Sequence, residues 1–130
     1  MKPLHIETPL FESRALTMGA GRTVWLKVEA MQPPGSFKIR GIGYACQEYA
    51  RRGARRFISS SGGNAGIAVA YAGRHLSIPV VVIVPETTTE RAKDLIRQEG
   101  AEVKVHGASW REANALAMSM VADTDAFLHP

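Results

Sequence analysis

The residues best suited to chemistry sit in one short stretch, Pro34-Gly35-Ser36-Phe37-Lys38-Ile39-Arg40-Gly41. The spacing that follows predicts a helix. Ile42, Cys46 and Tyr49 recur at three- and four-residue intervals, while Gln47, Glu48, Arg51 and Arg52 fall largely on another side. Gly35 allows the bend into that helix. Ser36 is the expected N-cap, its hydroxyl accepting from a free N–H of the first turn. Lys38 then stands where the positive end of the helix dipole disfavours a second positive charge. An amine that gives up its proton readily attacks carbonyls, so imine formation is the chemistry this position suggests. The plainer alternative is a solvated lysine in a first turn.

A second stretch, Ser59-Ser60-Ser61-Gly62-Gly63-Asn64-Ala65-Gly66, follows the apolar pair Phe57-Ile58 and opens a run of small residues over 67–72. Hydroxyls, glycines and an asparagine at a strand-to-helix junction aim backbone N–H groups at an anion. Neither a Walker loop nor the dinucleotide fingerprint fits, because no Gly-Lys-Ser/Thr follows and the glycine spacing is wrong. Ordinary turns and caps use the same residues.

The elements that must position these stretches alternate. The lysine helix is expected to run to about Arg52 and stop at Gly53. Residues 56–59 read as a short strand and residues 64–76 as a helix. Val80-Val81-Val82-Ile83-Val84 reads as a strand buried on both faces. Thr87-Thr88-Thr89 should cap a helix with Ala92, Leu95 and Ile96 inward, ended by Gly100. Residues 102–105 alternate as a strand, Ser109 and Glu112 form a capping box, and Trp110, Ala113, Ala117 and Met120 make a helical stripe. Ala126-Phe127-Leu128 is a last short strand. This order implies βαβ units, an α/β fold with an open parallel sheet of about four strands flanked by helices. Ligands of such sheets bind beyond the carboxyl ends of the strands, where the serine-glycine-asparagine loop falls.

Ahead of this lies an amino-terminal arm. Ser13-Arg14-Ala15-Leu16 suggests a helical turn, and residues 23–29 alternate as a half-buried strand.

The chain has 130 residues, 45% apolar and 22% charged, with a net charge of +4. No stretch is long and apolar enough for a membrane span, and the start is too polar for a signal peptide. The single cysteine, Cys46, reads as a small buried hydrophobe and suits a reducing cytoplasm. Arg51, Arg52, Arg55 and Arg56 crowd one place, but no interleaved aromatics or reader motif accompany them, so nucleic acid is not an expected partner. The four histidines, His5, His75, His106 and His129, show no metal-ligand spacing.

Gln32-Pro33-Pro34-Gly35-Ser36-Phe37-Lys38-Ile39-Arg40-Gly41 and Ser60-Ser61-Gly62-Gly63-Asn64-Ala65-Gly66 together resemble the pyridoxal-phosphate enzymes of fold type II. The likeness extends through Val80-Val81-Val82-Ile83-Val84-Pro85 and Glu99-Gly100-Ala101-Glu102-Val103, in order along the chain. It is nearest to the serine/threonine dehydratases, in particular the serine dehydratase type. Cysteine and threonine synthases usually carry Asp after the lysine, where this chain has Ile39; they remain the alternative within the fold.

The resemblance implies pyridoxal 5'-phosphate held by Lys38 as a Schiff base, with Lys38 as the general base. It implies Phe37 against the cofactor ring, Asn64 on the cofactor's 3-oxygen, and Ser61, Gly62 and Ala65 on the substrate carboxylate. For Phe37 the alternative is a core residue, and for Asn64 a helix cap. The implied reaction turns L-serine or L-threonine into a 2-oxo acid and ammonia, a step of amino-acid catabolism, in an enzyme that is a homodimer when complete. Residues 1–33 correspond to the first segment of a larger domain and 34–130 to the small domain inserted in it. The family's tetraglycine phosphate loop and its partner for the pyridine nitrogen have no counterpart in the 130 residues. The chain is therefore read as an amino-terminal part, expected to be inactive alone or to serve as an interaction module. The strand over 23–29 is expected to lack a partner, leaving a poorly anchored arm that tends to self-associate.

Overall fold

The computed structural model describes residues 1–128; His129 and Pro130 lie outside the described residues. Strand β4 (Val80–Val84) is the centre of the molecule, buried along its whole length. Its alternation sorts the core. Val80, Val82 and Val84 join Phe57, Val69, Ala70 and Ile96 on one side, while Val81 and Ile83 join Ile58, Ala113 and Ala117 on the other.

Four parallel strands form the sheet, in the order β5 (Glu102–Val105), β4, β3 (Arg56–Ser59), β6 (Asp125–Leu128). Helices α2 (Lys38–Arg51), α3 (Asn64–Leu76) and α4 (Glu90–Gln98) contribute to the first core, and α5 (Trp110–Ser119) covers the opposite face. The expected α/β architecture is the observed one. Thr89 caps α4, and Ser109 with Glu112 makes the capping box of α5. Gly73 lets α3 lie close on the sheet, since a Cβ there would fall 2.1 Å from Val80 Cγ2.

The strand order reverses beside β3. From β3 the chain steps through α3 to β4 and on to β5, then returns through α5 to place β6 on the other side of β3. The loop leaving β3 thus emerges at a topological switch point, where ligand crevices form in such sheets.

Three local expectations are corrected. Ser36 does not cap α2: the helix starts at Lys38 with Phe37 already at φ −61° and ψ −17°, and no side chain caps it. The Ser36 hydroxyl is buried without a hydrogen-bond partner among the described residues. In α4, Leu95 is exposed, and Lys93, paired with Glu90, takes a buried place instead. The aliphatic stem of a lysine can cover apolar surface while its ammonium finds a carboxylate at the rim.

The third correction concerns the arm. The strand expected over 23–29 is shorter, β2 (Trp25–Lys27), and it has a partner: antiparallel β1 (Leu10–Glu12), joined to it through α1 (Arg14–Ala20). Nor is the arm loose. Leu4 packs against the core, Gln47 Nε2 donates to the Lys2 carbonyl at 2.7 Å, and the Gln32 side chain bonds both backbone groups of Ile6. Local pairing and these side-chain ties remove the reason to expect a free arm.

The arginine cluster is largely neutralised: Arg51 and Arg52 both bond Glu48, and Arg56 grips Asp125 with contacts of 3.1 and 2.6 Å. No helix among the described residues is long and apolar enough to cross a membrane.

Two carboxylates make an acid-sensitivity prediction. Bonds from Arg40 and then Thr8 hold Glu29 at about 2, well below its ordinary 4.5. Arg51 and Arg52 hold Glu48 at about 2. A carboxylate whose value is lower in the folded state contributes stability above the ordinary value and loses it as pH falls through the folded one. The partners of Glu48 are well exposed and their pairs are screened, so Glu29 should dominate. Thermal midpoints are expected to decline below about pH 4.5 and continue down toward about 2, with a shallower decline in Glu29→Gln.

Candidate active site

The topology puts Lys38 and the serine-glycine-asparagine loop toward the same end of the sheet. Helix α2 ends at Arg51, and the chain turns at Gly53 into the start of β3, so the start of α2 points toward the strands' carboxyl ends. Ile39, beside Lys38, is fully buried with Ala68 and Tyr71 of α3. The first turn of α2 therefore packs against the second turn of α3.

Lys38 is half-buried. Its Nζ lies 5.6 Å from the centroid of the Phe37 ring, and among the described residues it has no hydrogen bond or ion pair. Phe37 is 60% exposed, so the core alternative for this side chain is excluded. The lysine and the aromatic thus form one accessible pair.

The loop after β3 is a cradle of N–H groups. Gly63 occupies the N-cap position of α3 with no side-chain cap, and Asn64 begins the helix rather than capping it. No bond among the described residues engages the N–H groups of Gly62, Asn64, Ala65 or Gly66, the unsatisfied donors expected at a helix start. The hydroxyls order the loop. Ser59 Oγ accepts from Ser61 N at 3.4 Å, Ser61 Oγ accepts from Gly63 N at 3.3 Å, and Ser60 Oγ donates to Asn114 of α5 at 2.7 Å. Ala65 is buried and can offer only its backbone, while Ser61 and Gly62 are half-buried and Asn64 is exposed.

Two glycines shape the cradle. A Cβ on Gly66 would fall 1.9 Å from the Ser61 carbonyl oxygen, and one on Gly62 would fall 3.0 Å from Thr88 Cγ2. The loop is pressed against the first turn of α3 on one side and the β4–α4 connection on the other. The spacing of the motif named Gly66 but did not reveal this contact, which depends on how α3 folds back.

A family model described as pyridoxal-phosphate dependent enzyme matches residues 1–130. The chain belongs to the pyridoxal-phosphate dependent enzyme family. Human serine dehydratase-like protein is 52% identical over 119 residues, covering 92% of this chain and 36% of that protein. Human L-serine dehydratase/L-threonine deaminase is 44% identical over 128 residues, covering 98% of this chain and 39% of that protein. A crystal structure of a fungal L-serine ammonia-lyase from Rhizomucor miehei superposes with a TM-score of 0.91 at 33% identity, over 98% of this chain and 41% of that one. The chain thus spans well under half the length of these relatives.

The residues present fit the family's cofactor. Lys38 carries an amine without a competing carboxylate, and the loop offers open N–H donors at the same end of the sheet. Ser36, two residues before the lysine, keeps a buried hydroxyl without a partner. A buried polar atom of that kind calls for a bonding group from elsewhere.

Proposed function

We propose that the protein carrying this chain is a serine/threonine dehydratase, releasing ammonia from L-serine or L-threonine and leaving the 2-oxo acid. The observation that carries this reading is the Lys38 amine, unpaired among the described residues, toward the same end of the sheet as an open N–H cradle. The names of the relatives support the substrate class.

When bound, pyridoxal phosphate supplies an electron sink that makes the substrate's α-proton removable. Lys38 would hold the cofactor through Nζ and, once freed by the substrate amine, would take the proton from the α-carbon at the same nitrogen. Phe37, with its ring open to the site, walls the cofactor ring. Asn64 offers its side-chain amide to the cofactor's 3-oxygen. The Ser61 hydroxyl and the N–H groups of Gly62 and Ala65 bind the substrate carboxylate, orienting the α-carbon. The β-hydroxyl would leave as water with a proton that balances the one taken from the α-carbon, and a second water would hydrolyse the remaining enamine to the 2-oxo acid and ammonia.

The burial of Ile39 favours this reading over the synthases that resemble it. Ile39 is 0% exposed, and an Asp there would be buried among Ala68, Tyr71 and Ile42 without a partner. Residues 1–33 belong, in this reading, to a larger domain and 34–130 to the small one. Exposed Phe11 and Trp25 on the two-stranded sheet support that division. The whole enzyme is a homodimer acting on a small amino acid in the cytoplasm. For the last point the support is Cys46, a free cysteine with no second thiol among these residues to pair with.

The test is 2-oxo acid release from serine and threonine by the full-length protein, with two variants that divide the loop's work. Ser61→Ala should raise KM by about tenfold, the size of one hydrogen bond to a charged group, with little change in the cofactor's absorption. Asn64→Ala should instead shift that absorption and its pH dependence. Unaltered KM and spectra in both variants would leave the loop no role beyond starting a helix.

A further inference from the structure

The first turn of α2 is held by side chains that do not touch Lys38. That turn has no side-chain cap, and the adjacent Ser36 hydroxyl is unpaired. Arg40, two residues beyond the lysine, makes the tie instead. Its Nε and Nη2 each lie 2.8 Å from an oxygen of Glu29, a two-point fork. Glu29 is itself fixed, accepting from Thr8 Oγ1 and, at 3.2 Å, from Gln32 Nε2. Gln32 is 2% exposed, accepts the Ile6 N–H at 3.0 Å and donates to the Ile6 carbonyl at 2.9 Å. The start of the lysine helix is thus attached, through one carboxylate, to the amino-terminal segment.

We propose that Glu29 and Arg40 are positioning residues for Lys38: their paired contact pins the first turn of α2 to the amino-terminal segment and sets where the Lys38 amine stands. The inference rests on the reading of Lys38 as the cofactor's attachment point and assigns the placement of that lysine to a pair eleven residues apart in sequence. A single hydrogen bond fixes one distance, whereas a planar two-point fork also resists sliding and rotation of the turn. Ile39 seats the turn in the core from its buried side, and the fork is what ties the turn to the amino-terminal segment. The lysine has a covalent bond to make, and a displacement near 1 Å can cost about a hundredfold in a reaction of oriented groups.

The experiment uses the full-length protein, Glu29→Gln and Arg40→Lys, with two readouts that do not require turnover. One is amide hydrogen exchange in residues 38–41 against that in β4. The other is the rate at which added pyridoxal phosphate loads onto Lys38, trapped by borohydride and located by peptide mass. Glu29→Gln is expected to speed exchange in the first turn by about tenfold beyond any change in β4, as in a local opening. Loading of Lys38 should slow by about tenfold to a hundredfold. Arg40→Lys keeps the charge but loses the fork, and should fall between wild type and Glu29→Gln; it carries the comparison if Glu29→Gln gives little folded protein. Wild-type loading rates in both variants would overturn the proposal. So would exchange that accelerates equally in β4, which would make the pair a general stabiliser. Failure of the wild type to load at Lys38 would overturn the cofactor reading, whereas a loading defect confined to the variants speaks to the pair.

Discussion

Lys38→Ala in the full-length protein is expected to abolish both cofactor attachment and turnover. Two functions are lost with one nitrogen. In the proposed reaction the amine that would attach pyridoxal phosphate disappears, and so does the group that would take the α-proton. A positioned general base alone is worth about a hundredfold to ten-thousandfold. Among the described residues the Lys38 amine has only the Phe37 ring as a neighbouring partner. Lys38→Arg should fail as well, since a guanidinium stays protonated and cannot form the imine. Absorbance of bound cofactor, α-proton exchange in heavy water and 2-oxo acid release measure the three parts separately. Near wild-type α-proton exchange in Lys38→Ala would remove Lys38 from the role of base.

The second large effect is expected at Gly66, a residue without reactive chemistry. In Gly66→Ala the new methyl would stand 1.9 Å from the Ser61 carbonyl oxygen and 3.0 Å from its carbon. Both are backbone atoms, so no side-chain rotation relieves the clash. Either the first turn of α3 backs away or the Ser61 peptide turns, and each movement spoils the N–H cradle. Overpacking of this kind costs about 1–3 kcal/mol, and a rigid backbone neighbour places the variant at the upper end. Gly62→Ala meets the Thr88 methyl at 3.0 Å and should be milder, since a side chain can give way. Thermal midpoints and KM for serine should therefore rank wild type, Gly62→Ala, Gly66→Ala in order of increasing damage. An unchanged midpoint and KM in Gly66→Ala would mean that the loop is free to move away.

What the sequence made legible was decided by neighbours close along the chain. The five-residue β-branched run could only be a buried strand, and the Ser109–Glu112 box, which lowers Glu112 through the backbone N–H groups of Ala108 and Ser109, lies within one turn. The lysine motif and the small-residue helix were legible for the same reason. Ser36 was misread as a cap because a cap depends on where the helix begins, and Phe37 has already entered helical geometry. The β1–β2 pairing was missed because a three-residue strand such as Leu10-Phe11-Glu12 has too little pattern to announce itself. The fork between Glu29 and Arg40 was invisible because no single helix or strand spans both residues. Two ordinary charged residues become a tie only when the chain turns through Pro33, Pro34 and Gly35.

The place of β6 has a consequence for synthesis. Strand β3 pairs on one side with β4, which leaves the ribosome soon after it, and on the other with β6, whose Asp125 lies 69 residues beyond its partner Arg56. A chain emerging from its amino terminus can build β3, β4 and β5 with α3 and α4 while the far edge of β3 still has no neighbour. During that interval the backbone N–H and carbonyl groups of β3 that face the place of β6 stand open to strands of other chains. Closing the edge must await a long-range contact, which is slow to form. Nascent protein should therefore be most prone to misassembly after β5 has been made and before residues 125–128 emerge, and a variant weakened at Arg56 or Asp125 would lengthen that window.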